Sequence, residues 1–441
     1  MLSREGILEQ CEAEKVRFLR LVFTDLHGTN KNVEVPTKQF AKALDGDVMF
    51  DGSSIQGYAR IEESDMLLQP DLTTFMILPW EEPGGRVARI LCDIHNPDGT
   101  PFAGCPRGAL RRQLARAEKM GFELVCGPEA EFFLFLRGPN GEMTTQTHDK
   151  AAYFDLTPVD RGEDARRAIV NALERMGLEV EAAHHEVSHG QHEIDFRYES
   201  AMKAADHLTT FKFVVRKIAL DFGLHATFMP KPLYGVNGSG MHTHQSLFRG
   251  EQNMFFDPDA EWQISRLGLN YIAGLLEHAR GMCAITNPLI NSYKRLVPGH
   301  EAPTHIAWSE RNRSPLCRVP ARRGKGTRVE MRVPDPACNP YLAFAVMLAA
   351  GLDGIERDLD PGPPINKNVY SMSERERRRL RIRQLPEDLD RSLEAFEKDK
   401  VVQEALGKHI FTNFLAAKRA EWSEYIAEVH DWELDRYLAT Y

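Results

Sequence analysis

The stretch Lys231–Ser246, KPLYGVNGSGMHTHQS, limits what this chain can build more than any other. Its first half, Gly235-Val236-Asn237-Gly238-Ser239-Gly240, is too rich in glycine for regular structure and lets a backbone approach a ligand closely. Its second half, Met241 to Leu247, alternates apolar-leaning and polar residues, which predicts a strand. Side chains two apart on a strand share a face, so His242, His244 and Ser246 point the same way. Three donors or ligands on one face, directly after such a loop, point to a metal and an anionic group held side by side. A polar strand facing water is the competing reading, and the rest of the chain weighs against it.

Two more carboxylate pairs carry that weight. In GFELVCGPEAEFFLFL, residues 121–136, the spacing predicts an extended stretch punctuated at Gly127-Pro128, with Glu129 and Glu131 on one face among apolar neighbours. Like charges placed so are destabilising unless a cation neutralises them. In LEVEAAHHEVSHGQHEIDF, a tight turn at His189-Gly190 sets Val187 against His192 and Glu186 against Glu193, which repeats the problem. Further on, Arg311, Arg313, Arg318, Arg322, Arg323, Lys325, Arg328 and Arg332 alternate with Pro, Gly and apolar residues, a pattern that suits a phosphate site. Arg328–Arg332 reads as a strand with Glu330 and Arg332 on one face. Five glutamates (Glu129, Glu131, Glu186, Glu193, Glu330) and His242 thus fall on strands beside other candidate ligands. Oxygen donors with one imidazole suit Mg²⁺ or Mn²⁺ rather than zinc, and six ligands exceed what one Mg²⁺ takes from protein, so two or more ions are expected. With the Arg/Lys run this is equipment for phosphoryl transfer. No Gly-x-x-x-x-Gly-Lys-Ser/Thr is present, which argues against the P-loop class. From the residues alone the chain reads as an ATP- and metal-dependent enzyme with an unidentified acceptor.

A length of 441 residues predicts two domains or a large one with a smaller companion. Residues 1–100 read as a small α/β unit, with strands at Val16–Phe23 and Val87–Cys92 and a short helix capped by Thr37 through Leu44. Between them FDGSSIQGYARIEESDM, residues 50–66, is a long polar loop in which Asp51, Ser53 and Ser54 are potential caps. NPDGTPFAGCPR, residues 96–107, marks the boundary, and the second domain occupies 104–441. Helices are expected at Gly108–Lys119, Arg166–Met176, Ile264–Ala279, Asn339/Pro340 to Ile355 and within Lys398–Val429. Residues 373–384 are expected on the surface, and the tail WELDRYLATY is apolar enough to dock on another subunit. No signal peptide is read at the start, and no apolar run approaches the ~20 residues of a membrane span. Seven cysteines without a Cys-x-x-Cys pair argue for a reducing, cytoplasmic setting. A net charge of −9 disfavours nucleic acid as a partner.

FDGSSI, GPEAEFFLF, the HHE…GQHE pair, KPLYGVNGSGMHTHQSL, NSYKRLVPGHEAP, RNRSP and RVEMRVPDPACNPYLAF, in this order and spacing, resemble type I bacterial glutamine synthetase over nearly the whole chain. The resemblance implies an α+β chain: an N-terminal β-grasp domain, then a catalytic domain on a curved antiparallel sheet with flanking helices. It also implies a homo-dodecamer of two stacked hexamers with active sites shared between neighbours. Glu131, Glu186 and Glu193 match the ligands of one ion, and Glu129, His242 and Glu330 those of the other. Glu181, His244, Gln245, Ser246, Arg313, Arg318 and Lys325 match ATP-binding positions. Asn237, Gly238, Arg295, Glu301, Arg313 and Arg332 match those that hold glutamate or the transferring phosphoryl group, and Asp51 with Tyr153 matches the ammonium site. The implied reaction makes γ-glutamyl phosphate and ADP, and ammonia then displaces phosphate to give glutamine. Asp51, contributed by a neighbouring subunit, helps deprotonate ammonium, while Glu301 closes the site against water.

The stretch Asn368-Val369-Tyr370-Ser371-Met372-Ser373 departs from the adenylylated branch, so the resemblance is to the shorter, glutamine-inhibited branch. In that branch Arg60 matches the feedback position, and the region of Glu421 matches a contact with a transcriptional regulator. Two other functions compete: a γ-glutamyl ligase that uses a larger amine, and a non-catalytic structural or regulatory relative. Asp51, Tyr153 and Glu301 argue against the first, and the complete ligand set argues against the second.

Overall fold

The computed structural model describes residues 2–55, 57 and 65–441. Alternating burial along Val16–Thr24 places Leu19, Leu21 and Phe23 in a core. This strand pairs in parallel with Arg86–His95. Antiparallel strands extend the pair into the order Asn30–Pro36, Val16–Thr24, Arg86–His95, Asp65–Ile77, Met49–Asp51. Ile7 and Cys11 of helix Arg4–Ala13 close the core, giving the β-grasp unit. Thr37 is not the cap the sequence predicts: its hydroxyl donates to the Val16 and Arg17 carbonyls. Asp51 does cap a turn, accepting from Ser53 N and Oγ at 2.8 and 2.6 Å. Arg60 lies outside the described residues.

Cys105 caps helix Pro106–Lys119, which starts two residues before the expected Gly108 because Pro106 suits the first helical position. Arg107 of this helix bonds Asp71 and Asp93 of the first unit and Asp206 of helix Ala201–Asp221, fastening the two parts together.

The expected punctuation at Gly127-Pro128 is absent. Strand Glu123–Ala130 runs through both residues, which pair with His244 and Thr243 of Met241–Arg249. Pro128 is tolerated because its outer neighbour, Glu199–Ser200, reaches only Cys126 and leaves this part of the strand an edge. The break falls at Glu131 instead. There the chain leaves one sheet (Glu199–Ser200, Glu123–Ala130, Met241–Arg249, Val329–Met331, Cys317–Arg318, Trp308–Ser309) and enters another as Phe132–Arg137. That second sheet runs Leu224–Thr227, Phe132–Arg137, Gln191–Phe196, Val180–His185.

The turn between the last two strands also differs from expectation. His192 pairs with His185, and Glu193 with His184, not with Glu186. Ser188 O accepts from Gln191 N at 2.9 Å, so the turn is longer than two residues. The slip is two residues, which preserves the facing of every side chain, and Glu186 still lies beside Glu193 diagonally. Glu131 and Glu186 therefore sit just outside strands, not within them.

Helix Pro340–Glu356 is almost wholly buried, capped by Asn339 through Tyr341 N and Leu342 N. It packs on Arg266–Glu277 so closely that a Cβ on Gly274 would lie 2.0 Å from Ala350 O. The expected Ile264–Ala279 helix breaks at His278 and resumes as Ala279–Thr286. Gly407, at φ 81°, divides the C-terminal helical stretch into Lys400–Leu406 and Lys408–Ala427. Trp432, Tyr437 and Leu438 at its end are exposed.

Candidate active site

Three adjacent strands bring the first ligand set together. Met241–Arg249 lies between Glu123–Ala130 and Val329–Met331, with His242 opposite Glu129 and His244 opposite Glu330. Because His242 and His244 share a face, both reach Glu129. His242 Nδ1 is 3.5 Å from Glu129 Oε2 and 4.0 Å from Glu330 Oε1. Ligand atoms of Glu129, His242 and Glu330 lie within 4.8 Å of one another. Burial, with Arg332 adding to it, pushes the His242 imidazole down to about 4, so at neutral pH it carries a free lone pair. Burial also pushes Glu330 up, but Arg332, the two histidines and Arg318 outweigh it and hold the carboxyl at about 2. Arg318 Nε donates to Glu330 Oε2 at 2.5 Å, and Arg332 Nη1 donates to Oε1.

Glu131 sits at the crossing between the sheets. Its Oε2 accepts from Gln191 Nε2 (2.8 Å) and from Gly240 N (2.9 Å). Burial and then the charge of Glu186 push it up to about 8. Burial and then Glu131 push Glu193 well above the carboxylate range, and burial raises Glu186. Three buried carboxylates that disfavour one another's charge call for a cation.

The glutamate and histidine cluster stands between two cavities. On one side a cleft of about 540 Å³ is lined by Glu129, Glu181, His244, Ser246, Lys325 and Arg328, among others. On the other, a pocket of about 30 Å³ is lined by Glu131, Glu186, Asn237, Gly238, His242, Arg295, Glu301 and Arg332. Glu301 adopts a left-handed φ of 54° at its rim. Gln245 also borders the larger cleft, but its side chain is on the opposite face, accepting from Tyr271 Oη at 2.7 Å. Ser246 Oγ donates to Thr327 O at 2.9 Å, and Lys325 pairs with Glu251 at 3.0 Å.

Tyr153 is half-exposed, edge-on to His184 (5.5 Å, 78°). Burial, then Glu186 and Glu193, raise its hydroxyl pKa, whereas Arg313 opposes them, which places Arg313 near Tyr153. Asp51 is exposed on the N-terminal unit and lines neither cavity. Glu421 pairs with the buried Lys418 at 2.7 Å and lines a different cavity, beside Leu26 and His27. Tyr370 donates its hydroxyl to Ala302 O.

Three residues here, His184, Asp195 and Gln191, are not anticipated by the sequence, and Arg328 is anticipated only as one of a cationic run. His184, Glu193 and Asp195 bring ligand atoms within 4.8 Å. Glu193 and Asp195, two apart on one strand, carry the same spacing signal as Glu129 and Glu131. Arg328 Nε donates to His244 Nδ1 at 3.0 Å. Nothing in the spacing announces Gln191.

Residues 15–97 match the glutamine synthetase beta-Grasp domain, and residues 103–437 the glutamine synthetase catalytic domain. The chain is 63% identical over 443 residues to glutamine synthetase of Thermus thermophilus, covering 100% of this chain and 99% of that one. It is 54% identical over 437 residues to glutamine synthetase of Methanosarcina mazei, covering 99% and 98%. Among solved structures, a GmaS/ADP complex superposes with a TM-score of 0.89 at 34% identity, covering 98% and 99%. Glutamine synthetase of Plasmodium falciparum superposes with a TM-score of 0.88 at 26% identity, covering 99% of each chain.

Proposed function

The chain belongs to the glutamine synthetase family, an ATP-dependent glutamate–ammonia ligase, and from that premise we propose which residues do the work. The carrying observation is the Glu129–His242–Glu330 cluster at the seam between a large cleft and a small pocket. We assign the cleft to ATP, with Glu181, His244, Ser246, Lys325 and the main chain of Gln245 lining it, and Arg318 outside the lining, held on Glu330. The pocket has room for about one water as it stands, so it widens to take glutamate between Asn237, Gly238, Arg295 and Glu301. The γ-carboxylate then meets the γ-phosphate at the seam, where Arg332 and Arg313 offset negative charge.

Two ion sites fit the residues present. Glu129, His242 and Glu330, whose ligand atoms converge, form one; Glu131, Glu186 and Glu193, which disfavour one another's charge, form the other, with Glu193 also near His184 and Asp195. Hard oxygen donors with a neutral imidazole suit Mg²⁺ or Mn²⁺. Bound there, divalent ions supply neutralising charge for the phosphates. Attack of the γ-carboxylate on the γ-phosphorus breaks its bond to the β,γ-bridging oxygen, giving γ-glutamyl phosphate and ADP; ammonia then displaces the phosphate, a far better leaving group than a carboxylate oxygen. Glu301 excludes water from that intermediate. Asp51 from a neighbouring subunit, with Tyr153, binds ammonium and takes its proton. The exposure of Asp51 outside its own chain's cavities supports a shared site, as does the exposed apolar tail, and both fit a dodecamer of two stacked hexamers.

We further place the enzyme in the shorter, non-adenylylated type I branch, with the domains dividing at 1–100 and 104–441. The loop Asn368-Val369-Tyr370-Ser371-Met372-Ser373, which departs from the adenylylated branch, supports that placement. Glutamine feedback through Arg60 and a regulator contact near Glu421 complete the reading, as does a cytoplasmic setting, supported by seven buried free thiols. Identical glutamine inhibition curves for Arg60→Ala and wild type would remove Arg60 from it. The substrate test is an assay with ATP, glutamate and a panel of amines. Ammonium is expected to give the highest kcat/KM, and preference for a larger amine would contradict the assignment.

A further inference from the structure

Beneath the turn that carries Glu186 lies a carboxylate outside both ion sites. Asp149 has a fully buried side chain. It accepts from Gly190 N (3.1 Å), Arg161 N (3.3 Å) and Ala151 N (3.4 Å). His148 and His185 each direct Nδ1 at a main-chain carbonyl, of Leu134 and Glu186, and turn Nε2 toward Asp149 at 3.0 and 3.4 Å.

The groups it grips flank two functional segments. Gly190 closes the turn from Glu186 to Gln191, and a Cβ there would lie 2.9 Å from Leu134 O, so this N–H is presented by a backbone that admits only glycine. The next residue, Gln191, donates to Glu131 Oε2 at 2.8 Å and to Gly238 O at 3.2 Å. Ala151 leads into the segment of Tyr153, and its carbonyl meets His189 Nδ1 at 3.0 Å. One carboxylate thus fastens the turn that aims Glu186 and Glu131 to the segment that carries Tyr153. His148, Asp149 and His192 also bring ligand atoms within 4.8 Å. Arg166 Nη1 donates to His192 Nδ1 at 2.9 Å, which leaves the ring proton on Nε2 and no lone pair for an ion. The cluster is a scaffold, not a third ion site.

We infer that Asp149 is a positioning residue, acting through Gly190 and Gln191 to set Glu131 and Glu186 at ion-binding spacing; this rests on the ligand reading above. Groups that orient metal ligands typically change affinity by about 10–100-fold when removed. Mn²⁺ titration calorimetry on the full-length enzyme is the test. Asp149→Ala is expected to bind Mn²⁺ about 10–100-fold more weakly, and Asp149→Asn, which keeps an oxygen for Gly190, to fall between it and wild type. His278→Gln, a buried change outside the site, is expected to lower Tm and leave Mn²⁺ affinity unmoved. Where Asp149→Ala is not recovered folded, Asp149→Asn against His278→Gln decides. Wild-type Mn²⁺ affinity in the folded Asp149 variants, or an equal loss in His278→Gln, overturns the proposal. If Glu131→Ala loses Mn²⁺ and the Asp149 variants do not, only the positioning role fails. If Glu131→Ala keeps it, the ligand reading and the proposal fall together.

Discussion

His244 Nε2 donates to Glu129 Oε1 at 2.7 Å, and the direction of that bond is set from the other side of the ring. Arg328 Nε donates to Nδ1 at 3.0 Å, so the single proton of a neutral imidazole resides on Nε2. His244 is then a fixed donor that aims the Glu129 carboxylate, while His242, its strand-mate, keeps a lone pair for an ion. The two histidines of one strand face have different roles because their outer neighbours differ.

Replacing His244 tests this division. His244→Ala is expected to weaken Mn²⁺ binding by about tenfold, whereas His244→Asn, which retains a donor, loses less. Arg328→Met is expected to raise the KM for ATP with little change in the KM for glutamate. Equal Mn²⁺ affinity in wild type and His244→Ala would contradict the aiming role.

Asp51 lines neither cavity of its own chain, whereas Glu131 lies within the pocket. If sites are shared, Asp51→Ala and Glu131→Ala are each nearly inactive alone but complement each other when co-assembled. Random mixing in equal amounts leaves roughly a quarter of sites with both wild-type residues, so about a quarter of the wild-type rate is expected. Mixed assemblies no more active than either parent would contradict a shared site.

Away from the site, His278 at the helix break bonds Asp399 through Nδ1 and Asp353 through Nε2, both at 2.9 Å. Burial lowers its pKa, but the two carboxylates outweigh it and the net shift is upward. A group with a raised folded pKa contributes stability that is fully present below the unfolded pKa, about 6.5, and is lost as pH rises through the folded value. His278→Gln is therefore expected to cost roughly 2 kcal/mol at pH 5.5 and less at pH 8.5. Denaturant unfolding at the two pH values checks this, and a difference independent of pH would contradict it.

Period-two spacing is a local property, so Glu129 with Glu131 and His242 with His244 could be read directly from the chain. That they meet at the junction of two sheets could not, because the switch at Glu131 depends on which distant strands, Met241–Arg249 and Gln191–Phe196, compete for its neighbours. The same limit explains the turn after His185. Gly190 marks a turn, but the Asp149 carboxylate that takes the Gly190 N–H lies some forty residues earlier in the chain, beyond the reach of local pattern. The slip of two residues kept Glu186 on its predicted face, and a slip of one would have removed it. Arg328 was visible as one of a run of cations. Its selection to hold His244 comes from the pairing of Val329–Met331 with the histidine strand. The β-grasp strands Asn30–Pro36 and Asp65–Ile77 carry polar residues and Pro70, which hide them from pattern reading.

The most direct measurement counts ions. Mn²⁺ binding to the wild-type enzyme, followed by electron paramagnetic resonance of the free ion with ATP absent, is expected to show two sites per chain. In Glu131→Ala the site of Glu131, Glu186 and Glu193 should be lost or weakened beyond detection, while that of Glu129, His242 and Glu330 remains, and glutamine synthesis should fall to background. Two undiminished sites in Glu131→Ala, or near-normal turnover with Mg²⁺, would contradict the two-ion assignment.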